Sequence, residues 1–290
     1  MDKERQKAIS VVKKMQPAVM EQLKSEKADW TYYGKHITFS VNGQERTIYH
    51  FSSGKEAAPV YFDIHGGGFA WGTIEDGNFY CHELAKTLKM NVYSLDYPLS
   101  PDNVYPSQLD YLIETINYMV THPEKFGIDP QKIFVGGRSA GGNLAAALCL
   151  RTINQKNWSF RGQVLDHPWL DLKELIPDEE RFIPEGINMM DNLRCLGRAY
   201  ASAKQRETAD CSPIAADKDM ITLLPPAVIQ TCEMDSLRND GDMYAKILKE
   251  AGVQVIHRVA PKVGHGFTEH NTPSAEEGRK WLIKSLISFL

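Results

Sequence analysis

Ile9, Val12, Met15, Val19 and Leu23 recur at helical spacing among charged residues, so the first thirty positions predict an amphipathic helix lying on the fold. Two strand-like stretches follow, around His36–Val41 and Thr47–Phe51. Asn42-Gly43 between them suits a tight hairpin turn. From Pro59 the pattern changes. Short apolar runs at Pro59–Ile64, Val92–Leu95 and Ile133–Gly136 read as buried strands, and a fourth strand starts at Val164–Asp166. Helical periodicity covers Phe79–Leu88, Leu109–Val120 and Asn143–Arg151 between or after them. The rhythm resumes with strand Ala227–Thr231, helix Met243–Ala251, strand Val253–Val259 and helix Glu276–Phe289. Strands alternating with helices imply βαβ units, so the expected class is α/β, with a mostly parallel central sheet flanked by helices. Only Leu170–Cys211 breaks the rhythm. It is polar, compatible with helical turns, and holds no convincing strand. It reads as an insertion over the end of the sheet, inside one domain spanning residues 1–290.

Composition narrows the class without changing it. The chain has 290 residues, 42% hydrophobic and 24% charged, enough to build a full core without disulfides or metals. A net charge of −4 is too mild to point to nucleic acid or a membrane surface as partner. No stretch reaches the roughly 18 apolar residues of a membrane span. The opening MDKERQKAISVVKKMQ mixes charges of both signs and does not read as a secretory signal. Five cysteines (Cys81, Cys149, Cys195, Cys211, Cys232) show no CxxC spacing, and their odd number suits a reducing cytoplasm. Nine histidines show neither H-x-x-x-H nor H-E-x-x-H spacing, so no metal site is expected.

The chemistry gathers at predicted strand ends. Gly137-Arg138-Ser139-Ala140-Gly141 is a G-x-S-x-G pentapeptide directly after strand Ile133–Gly136 and at the head of an alanine-rich helix. A nucleophilic serine needs that strained strand-to-helix turn. By composition alone such a pentapeptide arises about one time in ten in a chain this long, so its placement carries the weight. The bland alternative is a glycine-rich turn with a capping serine. His65-Gly66-Gly67-Gly68 directly follows strand Pro59–Ile64. With no side chains in the way, the N–H groups of Gly66 and Gly67, joined by that of Ala140, are candidates for an oxyanion hole. A flexible loop or a phosphate cradle are the alternatives, but the Lys and Ser/Thr of a P-loop are missing. His65 reads as an orienter of this loop.

A serine hydroxyl needs a base, and the order serine, acid, histidine directs the search downstream. His265, between Gly264 and Gly266 in a loop after a strand, is the preferred base, with His270 as the reserve. His257 lies within a strand pattern and reads as structural. His167, at a strand end before Pro168, reads with Phe69 as lining the substrate site. Asp235, just past strand Ala227–Thr231, is the preferred acid. Glu233 lies nearer the strand, and Asp240 and Asp242 look like helix caps.

Taken together, the chain resembles the hormone-sensitive-lipase-like family of α/β-hydrolases, chiefly its microbial carboxylesterases. The resemblance rests on HGGGF at His65–Phe69, YPLSPD at Tyr97–Asp102 (near the family's Y-R-L-A-P-E) and GRSAGG at Gly137–Gly142. It rests also on DSLRNDG at Asp235–Gly241 (near D-P-L-x-D-x-G) and HGF at His265–Phe267. It runs from about Val60 to the C-terminus. Arg138 stands where the family usually has an acidic residue, and Ser236 where it has proline. The resemblance implies an α/β-hydrolase fold with a small helical cap from roughly residues 1–30 and 170–211. It implies hydrolysis of small, short-acyl carboxylic esters through acylation of Ser139, with no cofactor. A peptidase or amidase using the same triad, and a non-catalytic ligand binder on this scaffold, stay open. Exposed edge strands and the C-terminal helix are compatible with a homodimer.

Overall fold

The computed structural model describes residues 2–155, 157–186 and 189–290. The chain opens with helix α1 (Lys3–Glu26), whose N-cap Asp2 accepts the N–H of Arg5 at 2.7 Å. Strands β1 (Lys35–Val41) and β2 (Gln44–Phe51) form the expected hairpin. Asn42 and Gly43 both take positive φ, 50° and 79°, as a type I′ turn requires. There follow β3 (Ala58–Ile64), α2 (Asn78–Leu88), β4 (Asn91–Leu95), α3 (Ser107–Thr121), the short α4 (Pro123–Phe126), β5 (Ile128–Arg138), α5 (Ala140–Arg151) and β6 (Phe160–Asp166). Next come α6 (Met190–Tyr200), α7 (Ala203–Arg206) and α8 (Lys218–Ile221). The chain closes with β7 (Ala227–Met234), α9 (Arg238–Glu250), β8 (Val255–Gly264) and α10 (Pro273–Leu286).

The eight strands form one sheet in the order β1-β2-β4-β3-β5-β6-β7-β8. β1 and β2 run antiparallel to their neighbours, and every pairing from β4 to β8 is parallel. β3 shows why. Val60, Phe62 and Ile64 join the larger core with α3 and α5, while Tyr61 joins the smaller one with α2 and α10 on the other face. A strand buried on both faces reads as a continuous apolar run. One expectation is displaced: Val164–Asp166, read as the start of a strand, is the end of β6. Arg161 and Gln163 interrupt its apolar run, and Gln163 is nonetheless buried, with its side chain donating to the carbonyl of Pro225.

The interval 170–211 holds α6 and α7 and no strand among its described residues. α6 lies along α1: Cys195 Sγ approaches the Ala8 carbonyl at 3.9 Å and Arg198 pairs with Glu4 at 3.7 Å. The lower part of the interval is anchored by Arg181, which bridges Asp171 at 2.7 Å and Asp240 at 2.8 Å in a buried cluster. Asp240 also accepts the N–H groups of Leu170 and Asp171. It sits in the first turn of α9, but its carboxylate fastens the insertion and does not cap the helix. Asp242, likewise read as a cap, accepts from Thr231 at 2.8 Å and contacts His257 at 2.9 Å.

Candidate active site

In a parallel sheet the loops leaving the carboxyl ends of adjacent strands face a common space. Here β3 delivers the loop at His65, β5 delivers Ser139, β7 delivers Asp235 and β8 delivers His265. His265 Nε2 lies 2.9 Å from Ser139 Oγ, and His265 Nδ1 lies 2.8 Å from Asp235 Oδ2. Asp235 is 1% exposed, and its other oxygen accepts the N–H of Leu237 at 2.9 Å. Burial pushes its carboxyl up, but His265 and these hydrogen bonds outweigh burial and hold it below the usual carboxylate range. The alternative residues lie elsewhere. Glu233 accepts the N–H of Lys262, His257 is tied to Asp242, and exposed His270 offers its carbonyl to Arg279.

Ser139 adopts φ 54°, ψ −118°, a strained conformation for a residue with a side chain. Three hydrogen bonds hold it there. Its N–H donates to the Asp166 carbonyl at 3.1 Å, and its carbonyl accepts from Asn143 and Trp169 N–H, each at 3.1 Å. The turn is so tight that a Cβ at Gly141 would lie 2.2 Å from the Ile64 carbonyl oxygen. Ala140 begins α5, so its N–H has no partner within the helix. The glycine loop lies against this turn, since a Cβ at Gly66 would sit 3.4 Å from Ser139 Cβ. Gly67 takes φ +93° and its carbonyl accepts from Ala70 and Trp71, which curls the loop back on itself. Among the described residues, the N–H groups of Gly66 and Gly67 donate to no protein acceptor. His65 is buried, bonds the Gly66 carbonyl through Nδ1 at 2.9 Å and stacks on Tyr97 at 4.2 Å. It braces the loop, as expected.

Two expectations require correction. Phe69 is fully buried, stacked on Tyr200 at 3.8 Å and in contact with Trp169, so it supports the glycine loop from beneath and does not line the cavity. His167 is also buried. Its ring meets that of His265 edge-on at 4.7 Å, and its Nδ1 lies 3.1 Å from Asp166 Oδ1. Burial alone would favour the neutral imidazole, but Asp166 more than compensates and raises its pKa well above the ordinary value. The residue after β6 thus packs against the ring of His265 and is not among those lining the cavity.

Sequence reading singled out Arg138 but not its partner. Arg138 grips Asp63 with both terminal nitrogens, at 2.7 and 3.0 Å, in a pair shut off from solvent. Asp63 also accepts from Ser94. The elbow therefore keeps a local charge pair, with the cation on the serine's own strand. The readable signal was an aspartate in the run Pro59–Ile64, where an unpaired charge is costly.

A cavity of about 190 Å³ opens at Ser139 and is lined by Leu23, Gly67, Gly68, Trp71, Asp76, Met189, Leu193, Leu196, His265, Gly266 and Glu269. A second, more apolar cavity of about 200 Å³ lies between α1 and α6 and shares Trp71, Met189, Leu193 and Leu196 with the first.

The parallel sheet, the serine at a strand-to-helix elbow and the glycine loop beside it define an α/β hydrolase. The alpha/beta hydrolase fold family matches residues 61–269, and the chain belongs to it. An esterase of Mycobacterium tuberculosis, LipI, is 28% identical over 76% of this chain and 69% of its own length. Ethyl acetate hydrolase of Pseudomonas putida is 29% identical over 79% of this chain and 72% of its own. The hyperthermophilic esterase of the archaeon Pyrobaculum calidifontis superposes with a TM-score of 0.83 at 27% identity, covering 96% of both chains. These relatives agree with the hormone-sensitive-lipase-like resemblance, and the chain is an enzyme of the carboxylic ester hydrolase class.

Proposed function

We propose that the chain is a serine carboxylesterase for small, short-acyl esters, working through an acyl-enzyme on Ser139. The observation that carries this reading is the continuous line from Ser139 Oγ through His265 to buried Asp235. Ser139 Oγ attacks the ester carbonyl carbon while His265 Nε2 takes its proton, and Asp235 stabilises the resulting imidazolium. The carbonyl oxygen gains negative charge against the N–H groups of Gly66, Gly67 and Ala140. The carbon–alkoxy bond then breaks, and the departing alkoxide takes the proton from His265. Water repeats the sequence on the acyl-enzyme: His265 accepts its proton, the carboxylic acid leaves, and Ser139 regains its hydrogen.

The small cavity at Ser139 supports a short acyl group, with α1 and the interval 170–211 acting as the cap that bounds it. Five free cysteines fit a reducing compartment, in line with a cytoplasmic enzyme. Among the described residues no helix is long and apolar enough to cross a membrane. The test is hydrolysis of p-nitrophenyl esters from acetyl to dodecanoyl by wild type and Ser139→Ala. Wild type should favour acetyl and butyryl, and the variant should lose at least about a thousandfold in kcat. An inactive wild type, or a variant of unchanged activity, overturns the reading.

A further inference from the structure

We propose that Glu269 makes the site selective for esters whose leaving alcohol carries a positive charge. The proposal rests on the Ser139 esterase reading and adds a substrate class to it. The cavity at Ser139 has two carboxylates in its lining, Asp76 and Glu269, and no lysine or arginine among the described residues. These two acids differ in their surroundings. Asp76 is buried, lies 2.5 Å from Lys27 Nζ and accepts from Thr73, so its charge is answered where it stands. Glu269 is 27% exposed, and its ion-pair partner among the described residues is Arg138, at 3.4 Å from Nε. Both terminal nitrogens of that guanidinium already hold Asp63. One cation thus serves two carboxylates, and the charge left over is on the more exposed one.

Its position decides which half of a substrate meets it. Glu269 Oε2 lies 3.9 Å from where a Cβ of Gly266 would be, so it borders the turn that presents His265. His265 must hand its proton to the alkoxy oxygen as the alcohol departs, so the alcohol occupies the His265 wall of the cavity. Alcohols bearing an ammonium group are favoured there, and those bearing a carboxylate are repelled. A partly exposed charge a few ångströms from a bound ion changes kcat/KM by about five- to tenfold.

The experiment compares butyrylcholine with 3,3-dimethylbutyl butyrate, its uncharged isostere, and with O-butyrylglycolate, followed by pH-stat titration. The quantity read is the ratio of kcat/KM values within each protein, so a general loss of activity cancels. Wild type should prefer the cation about five- to tenfold over the isostere and disfavour the anion, and the preference should fall with added NaCl. Glu269→Gln should bring the cation-to-neutral ratio close to one, and Glu269→Asp should keep it clearly above one. A wild-type ratio of one or less, or a ratio unchanged in Glu269→Gln, overturns the proposal. If that happens while p-nitrophenyl butyrate is cleaved in a Ser139-dependent way, the esterase reading stands alone. If no ester is cleaved, that reading has failed first.

Discussion

At the level of single residues, the buried Arg138–Asp63 pair is the most exacting feature. Each partner is shut off from water, and Arg138 is the cation that answers the charge of Asp63. Arg138→Met strands Asp63 and should cost about 3–5 kcal/mol in urea unfolding. Adding Asp63→Leu to the same chain should recover most of that loss, because the stranded carboxylate is then gone. A double variant no more stable than the single one would mean that Asp63 is held by something besides Arg138. Sequence reading reached Ser139, His265 and Asp235 because each stands in a short motif at a strand end, and the structure brings their side chains together. It misplaced Phe69 and His167, since a place in a motif or at a strand end fixes the backbone and leaves the side chain's direction open. Phe69 lies in the core at φ 64°, and sequence gives no sign of that dihedral.

Among the elements, β3, β4, β5 and β7 were legible because burial on both faces leaves mostly apolar runs, while β6, interrupted by Arg161 and Gln163, was read only at its end. The insertion was legible only as an absence of strand. Its order comes from the contacts of Arg181 with Asp171 inside the interval and with Asp240 far along the chain, and from α6 lying on α1. Leu196 on α6 stands where these elements meet. It lines both cavities, and a Cβ on Gly68 would touch its Cδ1 at 2.7 Å. Leu196→Ala should therefore join the two spaces and move the best p-nitrophenyl ester toward longer acyl chains, octanoyl gaining at least about threefold over butyryl. An unchanged chain-length profile would place the acyl group away from this wall. The truncation should also cost about 2–4 kcal/mol of stability, since Leu196 is 7% exposed.

Across the whole molecule, the groups at Ser139 arrive from strands of unequal security. β3 and β5 lie inside the sheet, whereas β8 is its edge and is mostly half-buried along its length. Edge strands open at lower free energy than central ones. Rising urea should therefore abolish ester hydrolysis before the far-ultraviolet circular dichroism signal falls, with midpoints about 0.5 M or more apart. Coincident midpoints would mean that β8 and the central strands unfold together.

The placement of His265 just past that edge strand has a consequence for how the enzyme ages and fails. Ser139 and the glycine loop stand on strands inside the sheet, while His265 hangs from an edge strand, which by position alone should be the easier to open. A damaged population should then hold many copies with an intact serine pocket and no working base. Such molecules should still bind ester but turn nothing over, and should recover when a single strand re-zips, without refolding the core.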